Sequence, residues 1–424
     1  IADGPAIRDY IHETADEHGI NANIRYGYKV VSASWDSAAA QWTVEVKVKG
    51  KKQKQKLTCN WLHMCAGYYK YDQGYTPEFE GRDDFKGDVV HPQHWPEDYD
   101  YSGKKIVVIG SGATAMTLVP AMTDKAEHVT MLQRSPTYVV SRPAEDALAN
   151  WLRSKLPAKT AYRLIRWKNV LLGMYFYNMC RRKPEKVKKL ILDGVREQLG
   201  PDFDIEHFTP SYNPWDQRLC LVPNGDLFES LKEGEASVVT DHIDRFTAKG
   251  IKLKSGKELE ADLVVSATGL NMQLLSGLEV EVDGKQMDLS KTFNYKGMMY
   301  SDVPNLASSF GYTNASWTLK CDLTCEYVCR LLNHMEETGL RQATPRVTDP
   351  NMEEEPWLDL SSGYVQRAID QFPRQGSKKP WKLYQNYALD LMSLRFGAVE
   401  DGVMEFSNPE QGAAPQPAKV AVAS

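Results

Sequence analysis

F-K-G-D-V-V-H-P-Q-H-W-P (Phe85–Pro96), a short linker, then K-K-I-V-V-I-G-S-G-A-T-A (Lys104–Ala115) form the stretch from which the rest of the chain is read. Lys104 to Ile109 is an apolar run with a basic start, as a buried parallel strand should be. Gly110, Gly112 and Ala115 follow at the spacing of G-x-G-x-x-A. Gly110 permits a tight turn. Gly112 lets the backbone approach a pyrophosphate, and Ala115 lets helix pack closely on strand. The unpaired N–H groups of Ser111, Gly112, Ala113 and Thr114 open the helix toward phosphates. A helix over Thr114–Asp124 and a second apolar strand, His128–Leu132, complete a strand–turn–helix–strand unit. Arg134 lies 24 residues beyond Gly110, beside Ser135. An NAD site carries an acidic residue near there; a basic residue with a neighbouring hydroxyl suits a 2′-phosphate, so the spacing reads as NADP(H). The other reading is an ordinary βαβ turn with a surface arginine, and the surrounding context favours the cofactor.

At 424 residues the chain has room for two or three domains. Its 42% hydrophobic and 25% charged residues are ordinary for a globular enzyme, and a net charge of −5 argues against nucleic-acid binding. Seven cysteines form no C-x-x-C pair, so no zinc ribbon, other metal site or redox dithiol is expected. The cysteine usage and the lack of a secretory signal suggest a reducing, cytoplasmic setting. Cys321, Cys325 and Cys329 share one face of a helix, read as buried. The chain opens I-A-D-G-P without methionine, which reads as the middle of a protein.

Asp3 is a helix cap for Pro5–His18, with Ile7, Tyr10 and Ile11 on one face. Strand-like runs at Ile24–Trp35, Gln41–Val48 and Leu57–Cys65 follow, separated by a polar turn and a lysine-rich tip at Gly50–Lys56. The third ends in Cys65-Ala66-Gly67-Tyr68, where a glycine allows close approach to another backbone or a cofactor. A like ending, Ala267-Thr268-Gly269, closes the strand from Asp262. Two such ends mark chain crossings between two nucleotide-binding domains. Gly311–Thr318, with Asn314 and Trp317, precedes a helix to about Glu337 and makes a second anion or flavin-edge site.

Between Trp151 and Lys189 stand twelve basic residues and one acidic residue, Glu185. Val170–Cys180 within it is apolar but shorter than the ~20 residues that cross a bilayer. Two readings stand: a helical insertion capping an active site, which is favoured, and an amphipathic segment lying on an anionic membrane surface. Asn213–Leu227 is a punctuated loop carrying one arginine, Arg218.

Phe85, Gly87, His91, Trp95 and Pro96 match F-x-G-x-x-x-H-x-x-x-W-P. Together with N-P-W-D-Q-R-L-C-L-V-P-N-G-D-L and G-Y-T-N-A-S-W-T-L-K, they make the chain resemble a class B flavin-dependent monooxygenase of the Baeyer–Villiger type. It is similar to the ethionamide-activating branch of that family. Trp95-Pro96 separates this group from the N- and S-oxygenating flavin monooxygenases. The resemblance implies an α/β fold with two Rossmann-like, three-layer domains, one for FAD and one for NADPH, and a helical insertion. It implies that NADPH reduces the flavin and that a C4a-peroxyflavin formed with O₂ oxygenates a ketone, giving an ester or lactone, or oxidises a sulfur compound. Arg218 matches the family's active-site arginine; its other reading is a structural arginine paired with Asp216 or Asp226. His91 is expected in the interdomain linker and is not read as a general base.

The expected organisation is 1–95, FAD-domain remainder and linker; 100–145 and 216–268, NADPH domain; 146–215, insertion; 269–406, FAD-domain return and C-terminal helices; 407–424, disordered tail. The family's first G-x-G-x-x-G finds no match in the chain, so the FAD domain is expected to be incomplete at its N-terminus, with weak FAD binding and impaired catalysis. The alternatives carried are an N- or S-oxygenating flavin monooxygenase and a non-catalytic NADP-binding fragment.

Overall fold

A computed structural model describes residues 2–217 and 219–409. The chain divides into two compact units. One comprises Lys70–Asn271 with Leu360–Tyr364, the other Asp3–Tyr69, Met272–Asp359 and, of the described residues, those from Val365 to Pro409.

The first unit is built on five parallel strands: β1 (Asp88–Val90), β2 (Lys105–Ile109), β3 (His128–Gln133), β4 (Ala236–Thr240) and β5 (Leu263–Ser266), in the order β4-β3-β2-β5-β1. Ile106 to Ile109 and Leu263 to Val265 are buried on both faces, as unbroken runs of branched residues in a central parallel strand require. One face meets helix α1 (Ala113–Met122) through Ala115, Met116, Val119 and Met122. The other, carrying Val107, Ile109, Leu132 and Val264, packs on Phe246, Ile251 and Leu253. Those belong to a three-stranded antiparallel sheet of Ile243–Thr247, Gly250–Leu253 and Glu258–Glu260. The unit is therefore an α/β fold in three layers. β1, placed by sequence in the segment before the NADPH domain, is an edge strand of this sheet, paired to β5 with Leu263 opposite Asp88.

The insertion forms between β3 and β4 as α2 (Ala147–Lys155), α3 (Ala158–Arg182) and α4 (Pro184–Leu199). Asp146 caps α2 by accepting the Ala149 N–H at 3.0 Å. Two short parallel strands, Val139–Arg142 and Cys220–Pro223, pair at the point where the chain leaves for these helices and returns.

The second unit holds a five-stranded sheet whose longest members are Tyr28–Asp36 and Gln41–Val48; the latter, and the end of the former, alternate buried and half-buried residues. Trp35 and Trp42 pack with ring centroids 5.4 Å apart. A four-stranded sheet places Leu306–Ser308 parallel to Leu62–Met64. The helix Trp317–Thr338 buries Leu319, Leu323, Tyr327, Leu331 and Met335 along one stripe.

Two expectations change here, on the cysteines and on the tail. Cys325 and Cys329 are exposed and Cys321 half-buried, because the buried stripe runs through the leucines instead. Asp3 caps the first helix through the Ala6 N–H at 2.8 Å, yet its Ile7, Tyr10 and Ile11 face is exposed. Ser407, assigned to the tail, ends a strand paired with Gln342, whereas residues 410–424 of that tail lie outside the described residues.

Candidate functional site

Gly110 closes β2 with φ at +141°, and a Cβ there would sit 2.3 Å from the Ala267 carbonyl oxygen of β5's exit. Glycine is thus required both by conformation and by the neighbouring strand. Gly112 has the opposite surroundings. Its Cβ position meets nothing within 4 Å, and it begins α1 without any side-chain cap. Gly112, Ala113 and Thr114 are exposed, so the first amides of α1 look into open space. Ala115 is fully buried against the sheet.

The turn is tied to the end of β3. Ser111 donates its hydroxyl to the Ser135 carbonyl at 3.1 Å and accepts from the Thr137 hydroxyl at 3.0 Å. Thr137 was not singled out from the sequence; only its position two residues past Ser135 hinted at it. Arg134 and Ser135 are exposed, and Arg134 has no carboxylate partner among the described residues. Gln133 beside them is buried, its amide donating to the His207 carbonyl at 2.7 Å and the Thr240 hydroxyl at 2.8 Å.

The fingerprint residues divide by role. Phe85 is buried against Phe246, with ring centroids 5.9 Å apart. Gly87 leaves room for nothing larger, since a Cβ would lie 2.4 Å from the Asp262 carbonyl oxygen. Trp95 packs edge-on to Tyr99 and Tyr101, and the Pro96 carbonyl accepts the Tyr99 N–H at 3.2 Å. His91 instead reaches across the chain. Its Nε2 donates to the Gly269 carbonyl at 3.3 Å, while its Nδ1 accepts the Gln93 N–H at 3.2 Å. With both ring nitrogens engaged in this way, the proton resides on Nε2. The ring lies so close to Gly74 that a Cβ there would fall 2.1 Å from His91 Cε1.

His91 belongs to a seam where the two crossing segments run side by side. The Tyr75 N–H donates to the Gly269 carbonyl at 3.0 Å, and the Thr268 hydroxyl donates to the Tyr75 carbonyl at 2.7 Å. Asn271 adds a bond to the Gly74 carbonyl at 3.1 Å, and Gln93 donates to the Lys70 and Tyr71 carbonyls at 2.8 and 2.7 Å. The division between the units falls at both segments, after Tyr69 and after Asn271.

Arg218 lies outside the described residues. The loop leading to it is held firmly. Trp215 stands in the left-handed region at φ +72° and packs edge-on to Tyr177 of α3, at 5.7 Å between centroids. Asp216 pairs with Arg181 at 2.9 Å and accepts the Asn213 N–H at 3.1 Å. Its carbonyl takes both the amide and the hydroxyl of Ser361, at 3.0 and 2.9 Å.

In the second unit, Gly67 (φ +66°) ends its segment beside Trp317, whose ring stands 3.8 Å from the glycine's Cβ position. Tyr68 packs edge-on to Trp317 at 4.9 Å and on Phe310 at 6.0 Å. Gly311 passes so near Trp317 that a Cβ would come 1.9 Å from the indole Cγ. Asn314 donates to the Gln385 carbonyl at 2.8 Å, and Gln385, itself at φ +49°, accepts the Thr313 N–H at 3.0 Å. Tyr68, Phe310, Tyr312, Lys320 and Trp357 line a small, partly open cleft. At one side Lys320 pairs with Asp390 at 3.0 Å, and Asp390 also accepts the Tyr312 hydroxyl at 2.7 Å. Burial and that carboxylate push the Tyr312 phenol well above its ordinary range. The Trp357 Nε1 donor is buried without a partner. The convergence of these residues from three separate segments is not marked in the sequence.

Residues 3–298 match the model of the family described as flavin-binding monooxygenase-like. The chain belongs to that family. This flavin-binding monooxygenase-like chain is 51% identical over 409 residues to the FAD-containing monooxygenase EthA of Mycobacterium tuberculosis, covering 96% of this chain and 83% of EthA. It is 48% identical to a probable FAD-binding monooxygenase AlmA of an Acinetobacter species, over 96% of this chain and 82% of AlmA. The fold is shared with a steroid monooxygenase solved with NADP, with a TM-score of 0.72 at 20% identity over 96% of this chain and 85% of that one. These matches lend no support to the expectations that an N-terminal segment is missing or that catalysis is impaired.

Proposed function

We propose that this family member is an NADPH- and FAD-dependent monooxygenase that inserts one oxygen atom of O₂ into ketones and also oxidises sulfur compounds. The observation that carries the reading is the seam at His91. The fingerprint's histidine, His91, bonds to the carbonyl of Gly269, three residues past the end of β5, the strand that lies beside β2 and its Gly110–Ala115 turn. The relatives supply the cofactor classes: EthA by name contains FAD, and the steroid monooxygenase was solved with NADP.

The residues present fit both groups. For NADPH, the uncapped start of α1 and the open space over Gly112 accommodate a pyrophosphate, and Arg134 with Ser135 offers donors for a 2′-phosphate. For FAD, Gly67, Tyr68 and Trp317 provide close-approaching backbone and aromatic walls. The helix at Trp317 also starts without a side-chain cap, and the orphaned Trp357 N–H lacks an acceptor that a flavin edge would supply. When bound, FAD supplies the redox centre that accepts hydride equivalents from NADPH and reacts with O₂.

The chain's own part is to bind, orient and hold charge. Arg218 is the proposed catalytic residue. A guanidinium keeps its charge at any working pH and presents a planar fork of donors to oxygen atoms that gain negative charge during attack on a carbonyl. Trp215, Asp216 and Ser361 fix the loop that carries it. His91, Thr268 and Gly269 are proposed as positioning residues for the crossing segments. The Trp95-Pro96 ending favours ketone oxygenation over a purely N- or S-oxygenating activity.

The test is turnover of the FAD-reconstituted chain with NADPH, labelled O₂ and either a simple ketone or a thioether. An ester carrying one labelled oxygen is the expected product from the ketone. Thioether oxidation with the ketone returned unchanged would remove the ketone half of the reading. Absence of substrate-dependent NADPH consumption would remove all of it. In Arg218→Ala, product formation should fall by about 100-fold or more while NADPH oxidation continues.

A further inference from the structure

We propose that the outer face of the helical insertion is a docking surface for an anionic lipid bilayer. This inference is independent of the oxygenation chemistry. Helix α3 buries Ala161, Ile165, Val170 and Cys180 on its inner face. Leu164, Trp167, Leu171 and Tyr175, at i, i+3, i+7 and i+11, make an opposite stripe over three turns. They are 48%, 40%, 57% and 64% exposed. Leu148 and Trp151 of α2, three residues apart, are 50% and 56% exposed. Single exposed apolar residues are ordinary; a regular stripe of leucine and aromatic side chains is not.

Charge decides what covers it. Lys159, Arg163, Arg166, Lys168, Arg181 and Arg182 lie on α3, which has no acidic residue. Lys168 is neutralised by Asp146 and Arg181 by Asp216. Lys159, Arg163 and Arg182 have no carboxylate partner among the described residues, and Lys186, Lys188 and Lys189 of α4 have none either. An apolar stripe with tryptophan and tyrosine, flanked by unneutralised cations, matches a helix lying in the interface plane of an anionic membrane. It does not match a spanning helix, and no helix among the described residues is long and apolar enough to cross a membrane.

The experiment is co-sedimentation of the full chain with vesicles of phosphatidylcholine alone or mixed equally with phosphatidylglycerol. Two variants accompany it: Leu164→Gln/Leu171→Gln/Tyr175→Gln, and Lys159→Gln/Arg163→Gln/Arg182→Gln. All six positions are exposed, and retained melting temperature checks folding. Should the first variant not fold, the charge variant and the salt dependence decide. Expected are binding to the anionic vesicles only, a partition coefficient lower by about tenfold or more in each variant, and release at roughly 1 M salt, where screening shortens to ~3 Å. Absence of binding to anionic vesicles overturns the proposal, as does binding that neither variant nor salt diminishes. So does a dimer in light scattering that the leucine variant splits while vesicles bind nothing, since a second copy then covers the face.

Discussion

Arg134 is the residue proposed to set the choice of NADPH over NADH. It is exposed, without a carboxylate neighbour, at the end of β3 where a 2′-substituent would lie. A charge-assisted bond to phosphate contributes about 1.5–3 kcal/mol. Arg134→Gln should therefore raise the KM for NADPH by roughly ten- to a hundredfold and leave that for NADH nearly unchanged. Steady-state kinetics with both nucleotides check this; equal losses for both would show that Arg134 does not read the phosphate. The arginine was legible because the dinucleotide spacing points to one position. Thr137 and Gly74 were not, because each acts through a partner brought near only by folding: Ser111 in one case, the His91 ring in the other.

At the scale of elements, the strand–turn–helix unit was readable because every part of it is local. The apolar run, the glycines and the buried alanine all lie within twelve residues of one another in sequence. Gly110 shows how tightly that unit is set. Gly110→Ala imposes an unfavourable φ and drives a methyl against the Ala267 carbonyl. A loss of about 2–4 kcal/mol in stability is expected, from left-handed strain and overpacking together. Denaturant unfolding measures it, with Gly112→Ala as the comparison, where the space is open and the loss should stay near or below about 1 kcal/mol. The cysteine stripe was misread at this same scale. Period alone shows that the three thiols share a face, and it leaves undetermined which face the rest of the fold covers. The first helix carries the same lesson, since Asp3 marks its cap while nothing local tells whether its apolar face is covered.

For the whole molecule, the three-layer architecture of the first unit followed from alternating strands and helices, while the aromatic cleft of the second depends on Tyr68, Phe310 and Trp357 arriving from distant segments. Both units share one electrostatic property: tyrosines buried as neutral phenols. Burial raises Tyr138 to about 12, and raises Tyr300 and Tyr327 further, from an ordinary 10.0. Groups with raised folded values contribute stability that is complete below the unfolded value and is lost as pH climbs through the folded one. Stability should accordingly decline from about pH 10 upward, and Tyr138→Phe should lessen the slope. Thermal melts across alkaline pH, read beside tyrosinate absorbance, test this; a flat profile to pH 12 would contradict it.

The pairing of Val139–Arg142 with Cys220–Pro223 has an evolutionary consequence. The chain departs for the insertion and returns from it at adjacent rungs of one ladder. Lengthening or exchanging what lies between leaves the separation of those rungs untouched. Helix α4 is rooted below them through Val195 and Leu199 in the sheet's core, and the far end of α3 packs through Cys180 against Tyr138, whereas α2 and the start of α3 share a small core of their own around Ala149, Ala161 and Ile165. Drift in length and composition is thus channelled into α2 and the start of α3. A lineage can remodel the outward character of this region while the nucleotide-binding sheet keeps its register.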